Sequence, residues 1–327
     1  MTDTIRWGIL GTGWIAHQFA QGLADAHDVS LVAVGSRSSD TADAFADEFD
    51  IPRRHASYEA LAADPDVDAV YVSTPHPFHK DNSILLLEQG KAVLCEKPFT
   101  INAEQAQAII DVAREHGVFL MEAMWTRYIP AVVRARALIA EGAIGDVRMV
   151  QADFGFRAGM NPESRLFNKA LGGGALLDIG IYVLSLASMV LGPTPQEVVS
   201  TAQLGETGVD EQSAVLLKYA GGELAVLSCA VRTCTTVEAT FLGTGGSIRL
   251  HSPFVKSAGL TVTRGEDQEL IALPLQGNGY NYEADEVGRC LRAGDTESAA
   301  MPLDESLALM HLMDRIRSQW GLVYPME

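Results

Sequence analysis

The feature that most constrains the fold of this chain is a glycine-rich turn near its N-terminus. Residues 5–10 form a short, mostly apolar run typical of a buried parallel strand, and Ile15, Phe19 and Leu23 then recur at helical spacing. Between them, residues 11–16 read GTGWIA and match the pattern G-x-G-x-x-A. In a strand–turn–helix context this pattern lets backbone approach a pyrophosphate, although such glycines can also serve packing alone. The candidate cofactor-binding residues of this turn are Gly11, Thr12, Gly13, Trp14 and Ile15.

Strands and helices alternate along the first third of the chain. After the first strand, further strand patterns are expected at residues 30–34, 69–73, 92–95 and 118–121, with helical patterns between them. This alternation predicts a doubly wound parallel sheet of the Rossmann type with right-handed crossovers. Ligands of such sheets lie beyond the carboxyl ends of the strands. We expect this dinucleotide-binding domain to span residues 1–123.

The pattern changes after about residue 146 to longer strands of alternating polarity. Two glycine pairs, at residues 221–222 and 245–246, are typical of hairpin connections. Residues 124–327 are therefore predicted to form an α+β domain with a large, mostly antiparallel open sheet, which binds substrate and mediates oligomerisation. The broad open face of such a sheet packs best against a copy of itself, so we expect a homodimer or a dimer of dimers.

The end of the second predicted strand bears on the choice of dinucleotide. An NAD site usually places Asp or Glu there, whereas this chain reads VAVGSRSSD and has Gly35 at that position. Arg37 offers a planar, permanently charged group suited to a 2′-phosphate, with Ser36 and Ser38 as neutral donors. A solvated surface arginine is the alternative interpretation. NADP is therefore favoured over NAD as the cofactor.

Composition and charge argue against several classes of partner. The chain has 24 Lys and Arg residues against 42 Asp and Glu, a formal net charge of -18, so we expect no nucleic acid partner. Its four cysteines lack C-x-x-C spacing and no H-E-x-x-H helix is present, so we expect no bound metal. The N-terminus lacks an export signal, and the apolar segment 175–191 contains Asp178 and glycines, which suits a buried helix. A cytoplasmic location without a membrane partner is expected.

Three further motifs complete the sequence pattern. Residues 73–79 read STPHPFH between a strand and a helix, and residues 95–99 read CEKPF at the end of the next strand. Residues 172–182 read GGGALLDIGIY and place Asp178 and Tyr182 four positions apart, on one face of a helix. These motifs and the N-terminal GxGxxA occur in order along essentially the whole chain. In this combination the chain resembles the Gfo/Idh/MocA family of oxidoreductases.

The resemblance implies roles for the residues of these motifs. Many family members have histidine where this chain has Tyr182, and tyrosine is typical of the branch that resembles glucose-fructose oxidoreductase and the dimeric dihydrodiol dehydrogenases. Lys97 and Tyr182 are then the catalytic pair, and Asp178 is their orienting neighbour. A phenol with a pKa of about 10 exchanges a proton at neutral pH only if a nearby cation lowers that pKa, which is the role expected of Lys97. A cis Lys97–Pro98 bond is also implied. The remaining candidate cofactor-binding residues are Thr74, Pro75, His76, His79, Glu96 and Lys97.

Substrate contacts and structural alternatives can also be named. Trp125, Arg127 and Phe154 are candidates for an apolar, partly polar wall that holds a sugar or a cyclic diol. Trp125 can equally be a core residue, and His79 can equally be a first-turn histidine bonded to backbone. A buried, hydrogen-bonded Tyr182 with Asp178 as a helix cap is the structural alternative for that pair.

The sequence therefore predicts an NADP-dependent dehydrogenase or reductase acting on CH–OH groups. Hydride would move between the nicotinamide and a carbinol or carbonyl carbon of a sugar, a sugar-derived ketone or a cyclic trans-diol, with Tyr182 as acid/base assisted by Lys97. The main alternative is an NADP(H)-binding, redox-sensing or regulatory protein without turnover. An S-adenosylmethionine methyltransferase is disfavoured by the missing acid after the second strand and by the EKP motif at residues 96–98.

Overall fold

The structure is a computed structural model that describes residues 4–327, and it divides into two compact units. The first unit comprises the described residues up to Trp125 together with Gln276–Leu307, and the second comprises Thr126–Leu275 with Ala308–Glu327. The division differs from the predicted single boundary between residues 123 and 124 in two places, because residues 124–125 and 276–307 belong to the first unit. Residues 276–307, which the sequence assigned to the second domain, pack with the first unit.

The first unit is built on a six-stranded sheet in which all neighbouring strands are parallel. Its strands are β1 (Ile5–Leu10), β2 (Val29–Gly35), β3 (Arg53–His55), β4 (Ala69–Val72), β5 (Ala92–Glu96) and β6 (Leu120–Ala123). Their order in the sheet is 3-2-1-4-5-6, so the order reverses between β1 and β4, where sheets of this type open a ligand crevice. The predicted doubly wound Rossmann sheet is confirmed.

Helices cover both faces of this sheet and fix where each strand ends. They are α1 (Trp14–Leu23), α2 (Ser39–Glu48), α3 (Tyr58–Ala62), α4 (His79–Glu88) and α5 (Ala103–His116). On one face, the ring of Phe19 in α1 stacks on that of Tyr71 in β4, with centroids 3.9 Å apart, and meets Trp7 edge-on. On the other, a Cβ on Gly8 would lie 3.1 Å from Leu61 of α3, so strand and helix approach closely. This packing holds the start of α1 directly beyond the end of β1.

The second unit is built on an eight-stranded sheet. Its strands are β7 (Val147–Gly155), β8 (Glu197–Leu204), β9 (Asp210–Lys218), β10 (Leu224–Ala230), β11 (Ala239–Gly243), β12 (Gly246–Leu250), β13 (Gly259–Arg264) and β14 (Asp267–Ala272). Their order is 14-13-12-11-7-10-9-8, and every pair is antiparallel except β7 with β10. The sheet is thus mostly antiparallel, as predicted, and both glycine pairs lie in hairpin connections, between β9 and β10 and between β11 and β12.

Helices of the second unit pack on one face of its sheet. α6 (Pro130–Ala140) contacts β12 and β13, and α7 (Ile181–Leu191) contacts β7 and β10. The helical stretch Lys169–Leu191 is long and apolar enough to cross a membrane by length and composition alone. However, 83% of its most apolar window is buried inside the fold, as is common for core helices. The apolarity of this stretch is therefore explained by the sheet that it covers.

The segment 276–307 belongs with the first unit because its helix packs on α1. This segment contains α8 (Asn281–Ala293) and the start of α9 (Leu303–Ser318). A Cβ on Gly22 of α1 would come within 2.8 Å of both Asn278 and Tyr280. The Asn278 amide also donates to the carbonyl of Gln18 at 2.7 Å. Only a glycine in α1 allows this close approach, and its partner lies about 250 residues later in the sequence, so no local pattern could indicate it.

Candidate functional site

The glycine turn after β1 leaves its backbone open to an anion. Gly11 has a φ of +103°, and a Cβ there would lie 2.9 Å from Ser73 Oγ, so both conformation and packing require glycine. Gly13 is the N-cap of α1 and provides no side-chain cap, and a Cβ there would have no heavy atom within 4 Å. The first N–H groups of α1 therefore have no capping side chain beside an open space. This arrangement fits a pyrophosphate group.

The other candidates in this turn differ in exposure. Trp14 is 70% exposed, whereas Thr12 and Ile15 are half-buried. Ala16, which follows them, is fully buried, as close packing of the helix against the strand requires. One side of the turn therefore packs into the core, and the other side faces solvent.

The end of β2 has no room for an acidic side chain at Gly35. This glycine is buried, and a Cβ on it would lie 2.9 Å from two atoms of Leu61. Arg37, two residues further on, is exposed, and its guanidinium donates a hydrogen bond to the hydroxyl of Tyr58. Burial raises the pKa of Tyr58, and the charge and hydrogen bond of Arg37 oppose that rise. Arg37 is therefore the one of these residues that can offer a positive charge to a nucleotide.

The two serines that flank Arg37 are placed differently. The Ser36 hydroxyl is buried and lies 2.6 Å from Thr41 Oγ1. Ser38 is exposed at the N-cap of α2, and its side chain makes no cap hydrogen bond. Ser38 therefore has the freer hydroxyl of the two for a ligand.

The segment that follows β4 is joined to the segment that follows β5 by a histidine. His79 is fully buried, and its ring nitrogens lie 2.8 Å from the Thr74 carbonyl oxygen and 3.0 Å from that of Pro98. Burial lowers the pKa of His79 from its usual value. These contacts favour the backbone-bonded role for His79, and a contact with cofactor stays a prediction. Thr74 also accepts a hydrogen bond from Asn82 at 3.0 Å. The neighbouring candidates are Pro75, which is half-buried, and His76, which is buried.

The side chain of Glu96 holds the backbone of the EKP motif, residues 96–98, by a hydrogen bond. Its Oε2 accepts the backbone N–H of Lys97 at 3.0 Å, and its Oε1 accepts the hydroxyl of Tyr71. Burial raises the pKa of Tyr71 well above its usual value, and the charge of Glu96 adds to the rise. Tyr71 therefore stays a neutral donor. The Lys97–Pro98 peptide bond is cis, as predicted, and the Lys97 side chain is half-buried.

A second buried carboxyl group lies close to Glu96. Glu283 of α8 is completely buried, and neither of its oxygens has a hydrogen-bond partner among the described residues. Burial raises its pKa well above the usual value, and the charge of Glu96 raises it further. Two buried carboxyl groups in one place do not both ionise at neutral pH. Glu283 is therefore the neutral member of the pair.

In the second unit, Asp178 and Tyr182 lie on a helix that starts with a π-helical turn. The predicted helix is present, but Leu176–Gly180 are π-helical, and α7 proper begins at Ile181. Asp178 is buried and accepts a hydrogen bond from Arg165 Nη1 at 2.8 Å. Single π turns of this kind are frequent at functional sites because they re-aim side chains within a helix. The turn therefore sets where Asp178 points relative to Tyr182.

Tyr182 has an aromatic environment. It is 7% exposed, and its ring centroid lies 5.5 Å from that of Phe154 in β7. Phe154 also contacts Phe254 and Phe156, with centroids 6.1 and 6.5 Å away. A phenol among aromatic rings is shielded from water, which strengthens any electrostatic interaction that it makes.

The two remaining substrate candidates have clear packing roles. Trp125 is buried in the first unit and stacks on Tyr280, with centroids 4.6 Å apart. Arg127 is buried in the second unit and donates to the hydroxyl and the carbonyl of Ser185 in α7, at 3.0 and 3.1 Å. The core interpretation of Trp125 is therefore favoured, and Arg127 secures the helix that bears Tyr182. Substrate contact stays a prediction for both.

Sequence reasoning missed several residues that shape these sites. Tyr58 interacts with Arg37, and Arg165 pairs with Asp178. Asp210 bonds to the π turn, and Glu283 lies close to Glu96. Each lies more than ten residues from its partner and outside any recognised motif. A glutamate in an amphipathic helix and an aspartate at the start of a strand give no signal of their own. Only tertiary packing brings them to the site.

The sheet order and the uncapped glycine turn define a dinucleotide-binding protein of the dehydrogenase class. Two family descriptions match the chain: "Oxidoreductase family, NAD-binding Rossmann fold" over residues 5–124, and "GFO/IDH/MocA C-terminal domain" over residues 132–249. The chain therefore belongs to the GFO/IDH/MocA family of oxidoreductases, as the motifs indicated. It is an oxidoreductase with an NAD(P)-binding Rossmann fold.

Among curated proteins, the chain is similar to enzymes named trans-1,2-dihydrobenzene-1,2-diol dehydrogenase. It is 41% identical to the Danio rerio protein over 334 residues and 38% identical to the Homo sapiens protein over 333 residues, with 99% of both chains covered in each case. Among solved structures, it is similar to a 3-ketoreductase from Actinomadura kijaniata in complex with NADP and TDP-benzene. That match has 28% identity and a TM-score of 0.85, and covers 96% of this chain and 97% of the other. An aldose-aldose oxidoreductase from Caulobacter crescentus matches with 25% identity and a TM-score of 0.88, covering 97% and 98%.

Proposed function

We propose that the protein is an NADP-dependent oxidoreductase that transfers hydride between the nicotinamide and a carbinol or carbonyl carbon. The substrate class proposed is a sugar, a sugar-derived ketone or a cyclic trans-diol. One observation carries the proposal: Asp178 and Tyr182 are both buried on one helical stretch, with Tyr182 beside aromatic rings, in a chain that belongs to an oxidoreductase family. Such a pair provides a proton-transfer group and a group that orients it.

Tyr182 is proposed as the acid/base of the reaction. NADP, when bound, supplies or accepts the hydride, and the substrate oxygen must gain a proton on reduction or lose one on oxidation. The Tyr182 hydroxyl is proposed to give that proton during reduction and to take it back during oxidation. Lys97 is proposed to serve in the same reaction as the cation that favours the phenolate, and Asp178 to orient the oxygen that reacts.

NADP rather than NAD is supported by the end of β2. Gly35 has no room for the acid that would bind ribose hydroxyls, and Arg37 is an exposed guanidinium that can pair with a 2′-phosphate. Arg37→Ala should weaken NADPH by about tenfold or more and leave NADH nearly unchanged, because only NADPH loses a charge-assisted contact. Fluorescence titration of both nucleotides measures this. Arg134→Ala, which removes a half-buried arginine paired with Glu141 in the second unit, is the control. Equal losses for both nucleotides would contradict the role of Arg37.

The substrate class is supported by the aromatic surroundings of Tyr182 and by the names of the relatives. The names of those relatives refer to a dihydrobenzene diol, to a 3-ketoreductase in complex with TDP-benzene, and to aldoses. The test is a panel of aldoses, ketoses and cyclic trans-diols with NADP(H), followed at the nicotinamide absorbance. Turnover of one class supports an enzyme and names its substrate. A tightly bound nucleotide whose redox state no alcohol or carbonyl changes would instead support a regulatory protein without turnover.

A homodimer or a dimer of dimers is proposed from the open face of the second unit's sheet. Val199, Leu216 and Val226 lie side by side across β8, β9 and β10, and are 63%, 42% and 43% exposed. A row of exposed apolar side chains on the face of a sheet is costly in water, and contact with a second copy of the chain would bury it. Sedimentation at micromolar concentration tests this. The variant Leu216→Lys should dissociate the assembly, and a wild-type monomer would contradict the proposal.

A further inference from the structure

A buried aspartate outside the sequence motifs holds the start of the helix that bears Asp178 and Tyr182. Asp210, the first residue of β9, is completely buried. Its Oδ2 accepts the backbone N–H of Leu176 at 2.7 Å, and the N–H of Ala175 also bonds to this carboxyl group. Leu176 is the first residue of the π turn that contains Asp178. Asp210 therefore caps this helix from a distant strand, where the unpaired N–H groups of the helix gather.

Gly174, the last of the three glycines at residues 172–174, is explained by this contact. Gly174 has a φ of +122°, and a Cβ on it would collide with Asp210 Oδ1. Glycine is thus required for the carboxyl group to reach the helix. On the other side of the segment, the Tyr324 hydroxyl donates to the carbonyl of Gly173 at 2.8 Å. The approach to the π turn is therefore held at both sides, by Asp210 and by Tyr324.

We propose that Asp210 is a positioning residue for the reaction: its carboxylate anchors the π turn that carries Asp178, and through that turn it sets the orientation of Tyr182. The inference rests on the function proposed above. Asp210 touches neither cofactor nor substrate in this account. It acts through the backbone of Ala175 and Leu176, and Asp178 is only two residues beyond the second of these.

The protonation state of Asp210 is set by two opposing effects on its pKa. Burial raises the pKa of Asp210 to about 7, and the N–H groups of Leu176 and Ala175 oppose that rise. Its second oxygen, Oδ1, has no hydrogen-bond partner among the described residues. The carboxyl group is therefore partly ionised at neutral pH. As a carboxylate it accepts both helix N–H groups through charge-assisted bonds, and as an acid it holds them more weakly.

The titratable groups around Asp210 do not share its change near neutral pH. Cys229 of β10 has a pKa raised to about 12 by burial, with the charge of Asp210 adding to the rise. Burial raises the pKa of Tyr324 well above its usual value, and the charge of Asp210 raises it further, although the charge of Arg317 opposes this. Both groups are neutral at pH 7. Asp178, which lies on the π turn, is paired with Arg165.

The test compares Asp210→Asn and Asp210→Ala with wild type between about pH 5.5 and pH 9, with kcat, KM and NADPH affinity measured for each. Asparagine keeps an acceptor for Leu176 but cannot ionise. We expect its kcat to match wild type at the acid end, to fall about three- to tenfold below it at the alkaline end, and to lack a step near pH 7. Alanine should lower kcat further at every pH, with NADPH affinity unchanged. Asp267→Asn, an exposed carboxyl on β14, is the matched control.

Two results would overturn the proposal. The pH profile of Asp210→Asn could superimpose on that of wild type, or the folded fraction of Asp210→Ala could keep a kcat within about twofold of wild type. A merely structural role would lower the folded fraction of the alanine variant but would leave the pH profile of the folded enzyme unchanged. Rescue of kcat by asparagine at acid pH is expected only if the hydrogen bond positions the turn.

A readout that does not depend on turnover separates this inference from the proposed function. In protein labelled with 15N-leucine, the amide signal of Leu176, assigned by its loss in Leu176→Met, should shift with pH around a midpoint near 7, and should not do so in Asp210→Asn. An active wild type whose Leu176 signal does not titrate would overturn the positioning role alone. A wild type without turnover on any substrate would overturn the proposed function and the positioning role with it, even if Leu176 titrates.

Discussion

Replacing Gly174 by alanine tests the packing of Asp210 against the helix start. A Cβ at this position would collide with Asp210 Oδ1, so the carboxyl group must move, and it is bonded to Leu176 N–H at 2.7 Å. The left-handed φ of +122° costs a non-glycine residue about 1–3 kcal/mol. Loss of a buried hydrogen bond to a charged group adds about 1.5–3 kcal/mol. We expect Gly174→Ala to lower the free energy of unfolding by about 2.5–6 kcal/mol in total.

Gly192 offers a matched control at the other end of the same helix. It has a φ of +89°, but a Cβ there would have no heavy atom within 4 Å. Gly192→Ala should therefore show only the backbone cost, about 1–3 kcal/mol. The assay is urea unfolding of both variants at pH 7, with the midpoints compared at equal slope. If Gly174→Ala loses no more stability than Gly192→Ala, then the close contact with Asp210 is not part of the folded protein.

Three further predictions follow from individual contacts. Asp210 has a folded-state pKa of about 7 against an ordinary value of 3.8, so its contribution to stability is present in full below about pH 4 and is lost as pH rises through 7. That loss amounts to about 4 kcal/mol, and urea unfolding across this range should show a flatter profile for Asp210→Asn than for wild type. His79→Phe should lower the free energy of unfolding by about 1–3 kcal/mol in the same assay, because the neutral ring donates its one N–H to a buried carbonyl oxygen that the variant leaves unpaired; a loss below about 0.5 kcal/mol would contradict the bridging role. Phe154→Leu should raise KM for a ring-shaped substrate several-fold and leave NADPH affinity unchanged, as steady-state kinetics and nucleotide titration would show, whereas an unchanged KM would remove Phe154 from the substrate site.

The Rossmann sheet could be predicted because its signals are local. A buried strand, a turn that needs glycine and an amphipathic helix all lie within the first 23 residues, and the alternation then repeats. The hairpins of the second sheet were predicted for the same reason, since a glycine pair and its two strands are neighbours in sequence. The role of Lys97 was implied by the family resemblance, and its position at the end of a strand agrees with the rule that ligands bind beyond those ends.

The parts that sequence could not predict depend on contacts between distant residues. The π turn at Leu176–Gly180 follows a helical pattern that looks continuous, and the carboxyl group that anchors it comes from Asp210, 34 residues away. Residues 276–307 pack with the first unit because Gly22 lets them approach α1 closely. Nothing in the sequence around Gly22 indicates that contact. The burial of Glu283 could not be predicted either, because an acidic residue in an amphipathic helix is ordinarily exposed. In each case the tertiary partner decides the role.

The most direct test of the proposed reaction is the single-turnover rate of hydride transfer in Tyr182→Phe, followed by stopped-flow at the nicotinamide absorbance with the best substrate of the panel. The phenol hydroxyl is proposed to move a proton and not to hold the nucleotide, so the rate should fall by about 10²- to 10⁴-fold with NADPH affinity nearly intact. Lys97→Met should also lower the rate, and the double variant should lose far less than the product of the two single losses, as expected for residues that act as one unit. A Tyr182→Phe enzyme that keeps near-full turnover would contradict the account, because the proton would then have to travel through another group.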